Sequence, residues 1–200
     1  MVDRYTGKEM GHIFSLENKY AVWQEIEVLA CEAQAELGVI GISREEAAWI
    51  REYAAFNRAE VDEIEAVTNH DVIAFLTNMG SYIDAKVPEG ELKPSRWVHY
   101  GMTSTDLGDT ALCYQLTQAC DPLIAAVRRC AAICKRRAFE ERNTLCVGRT
   151  HGIHAEPMTF GMKFGSWAWE FKRDLDRLKD ARKNVAYGAL SGAVGTYSSI

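Results

Sequence analysis

Four of the five histidines lie in polar segments where an imidazole could exchange a proton with a bound molecule. His70 stands in Thr-Asn-His-Asp, His99 begins His-Tyr-Gly-Met-Thr-Ser-Thr-Asp, and His151 and His154 share Gly-Arg-Thr-His-Gly-Ile-His-Ala-Glu-Pro. An imidazole titrates near neutral pH, so it can accept or release a proton when hydroxyl groups hold a substrate beside it. These segments therefore predict an acid–base site.

The same segments also have simple structural explanations. Asn69 and Asp71 are residue types that cap helices, and the Thr-Ser-Thr-Asp of residues 103–106 is typical of a helix N-terminus. The two interpretations are compatible, because free backbone N–H groups at a helix start, with hydroxyls beside them, bind carboxylate or phosphate.

The spacing of His151 and His154 raises the question of a metal site. Gly152 and Pro157 oppose a helix there, and the sequence has no cysteine or third-histidine motif to complete a tetrahedral set. We therefore expect no metal. Residues 188–195 contain three glycines, but their spacing differs from that of a dinucleotide-binding loop and no predicted strand precedes them.

Composition and charge predict a globular chain that does not bind nucleic acid or membranes. The 200 residues are 48% hydrophobic and 26% charged, which suffices for a sizeable core. The net charge is −5, with −9 in residues 1–100 and +4 in residues 101–200, so a polyanionic main partner is disfavoured. The sequence shows no signal peptide and no apolar run of membrane-spanning length, and its six cysteines form no C-x-x-C pair. We expect a cytoplasmic protein with free thiols.

Helical periodicity dominates the elements that must position the polar segments. Apolar residues at three-to-four spacing predict a helix over residues 16–37 that ends at Gly38. Ser43 and Glu46 predict a capping box that begins a second helix, which runs to about residue 53.

A third and a fourth helix are predicted over residues 61–67 and 70–82. Residues 86–106, with two prolines and two glycines, interrupt the helical pattern. We place a domain boundary in that interruption, between residues 98 and 99.

Two long helices are predicted after the boundary, over residues 107–141 and 158–187. Helices of this length pack side by side as a bundle. Strand signals are nearly absent, because no alternating β-branched run is flanked by an Asn-Gly or Asp-Gly turn. The predicted fold class is all-α, with a small N-terminal helical domain at residues 1–98 and the start of a central helical bundle at residues 99–200.

A series of motifs runs along the whole chain in order. They are Arg4-Tyr5, the Glu-Ile-Glu-Val-Leu-Ala-Cys-Glu-Ala of residues 25–33, Thr-Asn-His-Asp-Val at 68–72, the 99–106 segment, the 148–157 segment, and Ser-Gly-Ala-Val-Gly-Thr at 191–196. Together they make the chain resemble the adenylosuccinate lyases of the fumarase/aspartase superfamily. Argininosuccinate lyase and fumarase share the Thr-Ser turn, whereas the Arg-Tyr opening and the Asn-His-Asp triplet are typical of the purine enzymes.

The resemblance implies a lyase that releases fumarate from adenylosuccinate, giving AMP, and from the succinylated aminoimidazole-carboxamide ribotide of purine biosynthesis. The implied chemistry is β-elimination, in which a base removes a carbon-bound proton and an acid protonates the departing nitrogen. It implies no metal or organic cofactor. The implied partners are small purine nucleotides and further copies of the chain, in a homotetramer whose sites are shared between chains.

The resemblance also assigns roles to residues. His151 matches the general acid, because an imidazole can be protonated before the step and still release its proton to the leaving nitrogen. Arg4 offers the planar fork that phosphate prefers, and the hydroxyls of Thr103 and Ser104 can meet the negative charge that develops on the substrate. The implied substrate-binding residues are Arg4, Tyr5, Asn69, His70, Asp71, Thr103, Ser104 and Thr150.

One motif of that family does not occur in these 200 residues. The family's base is a serine in a Ser-Ser-x-Met-Pro-x-Lys-x-Asn-Pro loop, and Ser198 and Ser199 are not followed by Met-Pro. We therefore expect this chain to be an N-terminal portion that is inactive alone. Two alternatives remain: a superfamily lyase of the argininosuccinate type, or a non-enzymatic helical interaction module.

Overall fold

The computed structural model describes residues 2–198, and this part of the chain is mostly helical. Its α-helices are α1 (Lys8–Ile13), α2 (Leu16–Leu37), α3 (Arg44–Tyr53), α4 (Arg58–Thr68), α5 (Asp71–Asp84), α6 (Ser104–Glu140) and α7 (Phe160–Val185). Short 3₁₀ helices lie at Asp3–Tyr5 and Pro94–Trp97. The predicted all-α class is confirmed, with one small sheet as an addition.

Local capping signals set the helix boundaries as predicted. Gly38 ends α2 in the left-handed conformation, with φ 67°. Ser43 begins α3 with both bonds of the capping box: its Oγ accepts from the Glu46 backbone N–H at 3.1 Å, and Glu46 Oε2 accepts from the Ser43 N–H at 2.9 Å. Such bonds stabilise a helix end by about 1 kcal/mol and do not depend on distant residues.

The chain divides into two compact units. One is formed by the chain up to Gln115 together with the segment from Tyr187 onward, and the other is Leu116–Ala186. The domain boundary between residues 98 and 99 concerns the family's domains and stays a prediction.

The core of the first unit is a cluster of aromatic rings. The ring of Phe75 stacks on Tyr20 at a centroid distance of 5.4 Å and meets Trp23 edge-on at 5.5 Å. Each of these side chains is at most 2% exposed. Since Tyr20 and Trp23 belong to α2 and Phe75 belongs to α5, this packing fixes the start of α5, where His70 lies.

The second unit contains the sheet, which the sequence analysis missed. Strands β1 (Leu145–Thr150) and β2 (Ile153–Thr159) pair antiparallel, with a register shift between Val147 and Arg149. The central turn residues His151 and Gly152 have φ 50° and 75°. Two positive φ angles are what a two-residue type I′ hairpin turn requires. The sequence carries almost no signal for this hairpin, because His-Gly occupies the turn in place of Asn-Gly.

All six cysteines are free, as predicted. Cys31 and Cys134 are buried, whereas Cys130 is exposed. Burial, reinforced by the charges of Glu27 and Glu32, raises the pKa of the Cys31 thiol to about 12, so this thiol is unreactive near neutral pH.

No helix within residues 2–198 combines the length and the apolar character needed to cross a membrane.

Candidate active site

The structure brings together two of the predicted binding residues, His70 and Ser104. His70 is the N-cap of α5, and its Nδ1 accepts the Ile73 backbone N–H at 3.3 Å. In the neutral ring the proton is then on Nε2, which lies 3.5 Å from Ser104 Oγ. Ser104 is the first residue of α6, so the N-terminal ends of two helices meet at this contact. Such ends carry partial positive charge and attract anions.

The neighbours of His70 have structural partners of their own. Asn69 ends α4 in the left-handed conformation, with φ 51°. Asp71 Oδ2 accepts from Lys19 Nζ at 3.1 Å, and the same ammonium lies 4.2 Å from the Trp23 ring centroid. The capping interpretation is thus confirmed for Asn69 but not for Asp71, because the N-cap of α5 is His70 and Asp71 is the first residue of that helix. The binding roles of all three residues stay predictions.

A buried carboxylate holds the start of α6. Asp106 Oδ2 accepts the backbone N–H groups of Thr103 and Gly192, and Oδ1 accepts that of Ser191, each at 3.0 Å. Burial by itself would raise the pKa of Asp106, but the three backbone donors and the nearby His99 outweigh it and hold the pKa below its ordinary value. The ionised carboxylate therefore joins the predicted N-terminus at Thr103 to the Ser-Gly segment far along the chain.

The segment before Thr103 is anchored on α2 by side chains that the sequence analysis did not single out. Glu27 is 0% exposed and binds His99 with both carboxylate oxygens. Gln34 Nε2 donates to the Tyr100 carbonyl at 3.1 Å. A sequence signal for Glu27 did exist, since it stands four residues after Trp23 and four before Cys31 and so falls on the apolar face of α2.

Arg4 and Tyr5 pack on each other at the beginning of the chain. The Arg4 guanidinium lies 4.8 Å from the centroid of the Tyr5 ring, and Tyr5 is 77% exposed. An exposed guanidinium stacked on an aromatic ring keeps its N–H donors available to a phosphate. The predicted nucleotide contact of both residues stays a prediction.

The hairpin in the second unit carries the predicted acid. Thr150 is the last residue of β1 and pairs with Ile153, while His154 pairs with Arg149. The turn leaves His151 exposed, at a left-handed position. His151 and Thr150 belong to the second compact unit, whereas the other predicted binding residues belong to the first.

Within residues 2–198, no three histidine, cysteine or acidic side chains are grouped so that they could hold a metal ion. His151 and His154 lie on a turn and a strand, so their spacing does not place them on one helical face.

A family model described as a lyase matches residues 4–200. The chain belongs to this lyase family. Among curated lyases, it is 46% identical to the adenylosuccinate lyase of Bacillus subtilis strain 168 and 43% identical to that of Staphylococcus saprophyticus, each over 200 residues. These matches cover 100% of this chain but 44% of each relative, at the N-terminal end. The chain thus spans less than half the length of the curated relatives it matches.

Solved structures of lyase relatives share the fold. A fumarate lyase from Mesorhizobium sp. BNC1 superposes with a TM-score of 0.85 at 26% identity, covering 95% of this chain and 43% of that chain. A 3-carboxy-cis,cis-muconate lactonizing enzyme from Pseudomonas putida gives a TM-score of 0.88 at 27% identity, covering 98% and 44%. Proteins named for different reactions therefore share this backbone arrangement, so the fold alone does not identify the substrate.

Sequence motifs identified most of the polar side chains of the candidate site. They did not find Lys19, whose place beside Asp71 depends on the packing of α2 against α5 across 52 residues of sequence. No spacing rule connects residues so far apart.

Proposed function

We propose that this chain supplies the acid and the nucleotide-binding half of an adenylosuccinate lyase. The reaction is the release of fumarate from adenylosuccinate, which gives AMP, and from the succinylated aminoimidazole-carboxamide ribotide. The observation that carries the proposal is the 46% identity to the Bacillus subtilis adenylosuccinate lyase along all 200 residues. The solved relatives with other names are less similar, at 26% and 27% identity.

The chemistry is a β-elimination that needs one base and one acid. The base removes a proton from the carbon beside a carboxylate, and the resulting electron pair forms the carbon–carbon double bond of fumarate. The carbon–nitrogen bond breaks, and its electron pair stays on nitrogen, which takes a proton from His151. The exposure of the hairpin turn supports this role, since an acid must reach the leaving nitrogen.

We assign the binding of the two anionic ends of the substrate to positively charged or partly positive groups of the chain. The Arg4 guanidinium, with Tyr5 beside it, meets the phosphate. The pair of His70 and Ser104, at two helix N-termini, meets a negative group of the substrate, with Thr103 supplying a further hydroxyl. Asn69, Asp71 and Thr150 complete the proposed binding set.

We also propose an oligomeric state and a cellular location for the enzyme. The two long helices expose large apolar side chains, and this supports a homotetramer in which further helices cover them and the sites are shared between chains. These side chains are Leu112, Leu123, Ile133 and Phe139 on α6 and Met162, Trp167 and Trp169 on α7. We place the enzyme in the cytoplasm, with small purine nucleotides as its partners and without a metal or organic cofactor.

The test is a turnover assay on the protein that contains this chain, with fumarate release as the readout for the two succinylated substrates and substrate consumption as the readout for 3-carboxymuconate. Adenylosuccinate, argininosuccinate and 3-carboxymuconate are supplied separately, and we expect turnover of adenylosuccinate alone. Turnover of argininosuccinate or carboxymuconate in its place would move the enzyme to another branch of the lyase family. No turnover of any of the three would favour the helical interaction module.

A further inference from the structure

Glu27 is a buried carboxylate to which the proposed chemistry assigns no step. Its residue is 0% exposed on α2, among the apolar side chains of the core. A carboxylate in such a place is unfavourable unless both of its oxygens are engaged. Both oxygens here contact a single residue: Oε2 accepts the His99 backbone N–H at 2.8 Å, and Oε1 lies 2.6 Å from His99 Nδ1.

The backbone at His99 shows how strongly this contact is imposed. His99 has φ 63°, a left-handed conformation that residues with a Cβ rarely adopt. A carboxylate that hydrogen-bonds to both the backbone N–H and the ring of one residue restricts the backbone and the side-chain torsions of that residue. Gln34 and Cys31, on the same helix, bond to the carbonyls of Tyr100 and Trp97, so the chain on both sides of His99 is anchored as well.

The contact also decides which ring nitrogen is available. Because the carboxylate accepts, Nδ1 must carry a proton, and Nε2 is then the nitrogen through which His99 can act on another group. The ring is close enough to Asp106 for its charge to contribute to the lowered pKa of that carboxyl. His99 is 21% exposed at its side chain, and it stands four residues before Thr103 and five before Ser104.

We propose that Glu27 is a positioning residue of the proposed active site and acts through His99. Glu27 holds the His99 imidazole in one orientation, with the proton on Nδ1. The Nε2 atom is then directed to a polar group of the bound substrate. This inference rests on the proposed lyase function. It adds one buried side chain that touches no substrate but determines how a histidine meets one. A carboxylate that orients an imidazole in this way is a recurring device in enzyme sites.

The first measurement needs no substrate, and a variant serves only to assign the signal. In the enzyme that contains this chain, labelled with ¹⁵N at histidine, we expect His99 to show a protonated Nδ1. Assignment of the signal follows from its loss in His99→Gln. An unprotonated Nδ1 in the native enzyme would overturn the proposal whatever the enzyme turns over.

The second measurement compares matched variants. Glu27→Gln keeps the size but replaces one accepting oxygen by a donor, so we expect kcat to fall about 10- to 100-fold with KM changed by less than about threefold. Glu27→Asp keeps the carboxylate and is expected to recover part of the loss. Glu32→Gln is the control, because it removes a carboxylate of the same helix that pairs with Arg51 at the surface. We expect the control to match the native enzyme.

A double-mutant cycle separates positioning from folding. If Glu27 acts through His99, Glu27→Gln lowers kcat much less in a His99→Gln background than in the native background. Equal losses in both backgrounds would show that Glu27 only stabilises the fold and would overturn the proposal. If Nδ1 is protonated and the cycle is non-additive with another substrate, Glu27 keeps its role and the purine assignment alone fails.

Discussion

The Nε2 atom of His70 lies 3.5 Å from the Oγ atom of Ser104, although 34 residues separate them in sequence. His70 caps α5 through Nδ1, and Ser104 begins α6. One imidazole therefore has two tasks, since one nitrogen completes a helix end and the other reaches a hydroxyl at the start of a second helix. A residue with both tasks can be dissected by substitutions that remove only one of them.

For His70, the cap and the binding role are expected to separate in two variants. His70→Asn retains a good N-cap, so the free energy of unfolding should stay within about 0.5 kcal/mol of the native value. His70→Ala should lower it by about 0.5 to 2 kcal/mol, because the Ile73 N–H loses its acceptor. Both variants should weaken nucleotide binding, which calorimetry on the whole enzyme measures. Unchanged affinity in His70→Asn would leave His70 with a structural role only.

For His151, removal of the imidazole should slow the chemical step without unfolding the hairpin. His151→Asn suits this test, because asparagine is favoured where a type I′ turn needs positive φ. We expect kcat to fall by a factor of about 10² to 10⁴ while substrate still binds. His154→Ala, three residues away on β2, serves as the comparison and should cost less. A larger loss in His154→Ala, with the fold intact, would exchange the two assignments.

For Arg4, loss of the guanidinium should weaken binding of the phosphorylated product. Arg4→Ala is expected to reduce the binding free energy by about 1.5 to 3 kcal/mol, the usual range for a hydrogen bond to a charged group. Lys8→Ala, a charge-matched change on α1, should leave the affinity unchanged. Calorimetry with AMP decides the matter, and equal affinities for both variants would make Arg4 a surface charge.

For Asp106, the lowered pKa makes a pH-dependent contribution to stability. The contribution is fully present above the unfolded-state pKa of an aspartate, about 3.9, and is lost as the pH falls through the lower folded-state pKa. In Asp106→Asn, the two N–H groups that bonded to Oδ2 lose an accepting oxygen. At pH 7 we therefore expect the free energy of unfolding to fall by roughly 2 to 4 kcal/mol.

Denaturant titrations of Asp106→Asn and the native protein at a series of pH values test this directly. The difference between the two should shrink as the pH falls below about 4, because the carboxyl of the unfolded chain is then protonated while the native carboxyl, with its lowered pKa, still resists protonation. Asp109→Asn, an exposed carboxylate on α6, is the control and should show no such pH dependence. A difference that stays constant down to pH 3 would contradict the ionised role of Asp106.

The sequence by itself determined what depends on neighbours along the chain. The end of α2 at Gly38 and the capping box of Ser43 and Glu46 follow from bonds that span three or four residues, and the structure has both. Helix boundaries could be predicted because the competing conformations at a cap differ locally, in the dihedral angles of one residue and the partner of one N–H.

The hairpin shows where local rules were insufficient. Its strands carry no clean alternation of apolar and polar residues, because β1 and β2 are largely exposed on both faces and a register shift interrupts their pairing. A strand alternates apolar and polar residues when one of its faces is buried, and little of this hairpin is buried. Only the paired backbone identifies it, and with it the left-handed position of His151.

The partners inside the candidate site were decided by tertiary structure alone. Glu27 meets His99 across 72 residues, and Asp106 meets Ser191 across 85. No periodicity links such distances, because the choice of partner is made when helices pack and a buried carboxylate must find donors to offset its lost hydration. The sequence names the residue types that can do the chemistry, and the packing of the helices determines which of them touch.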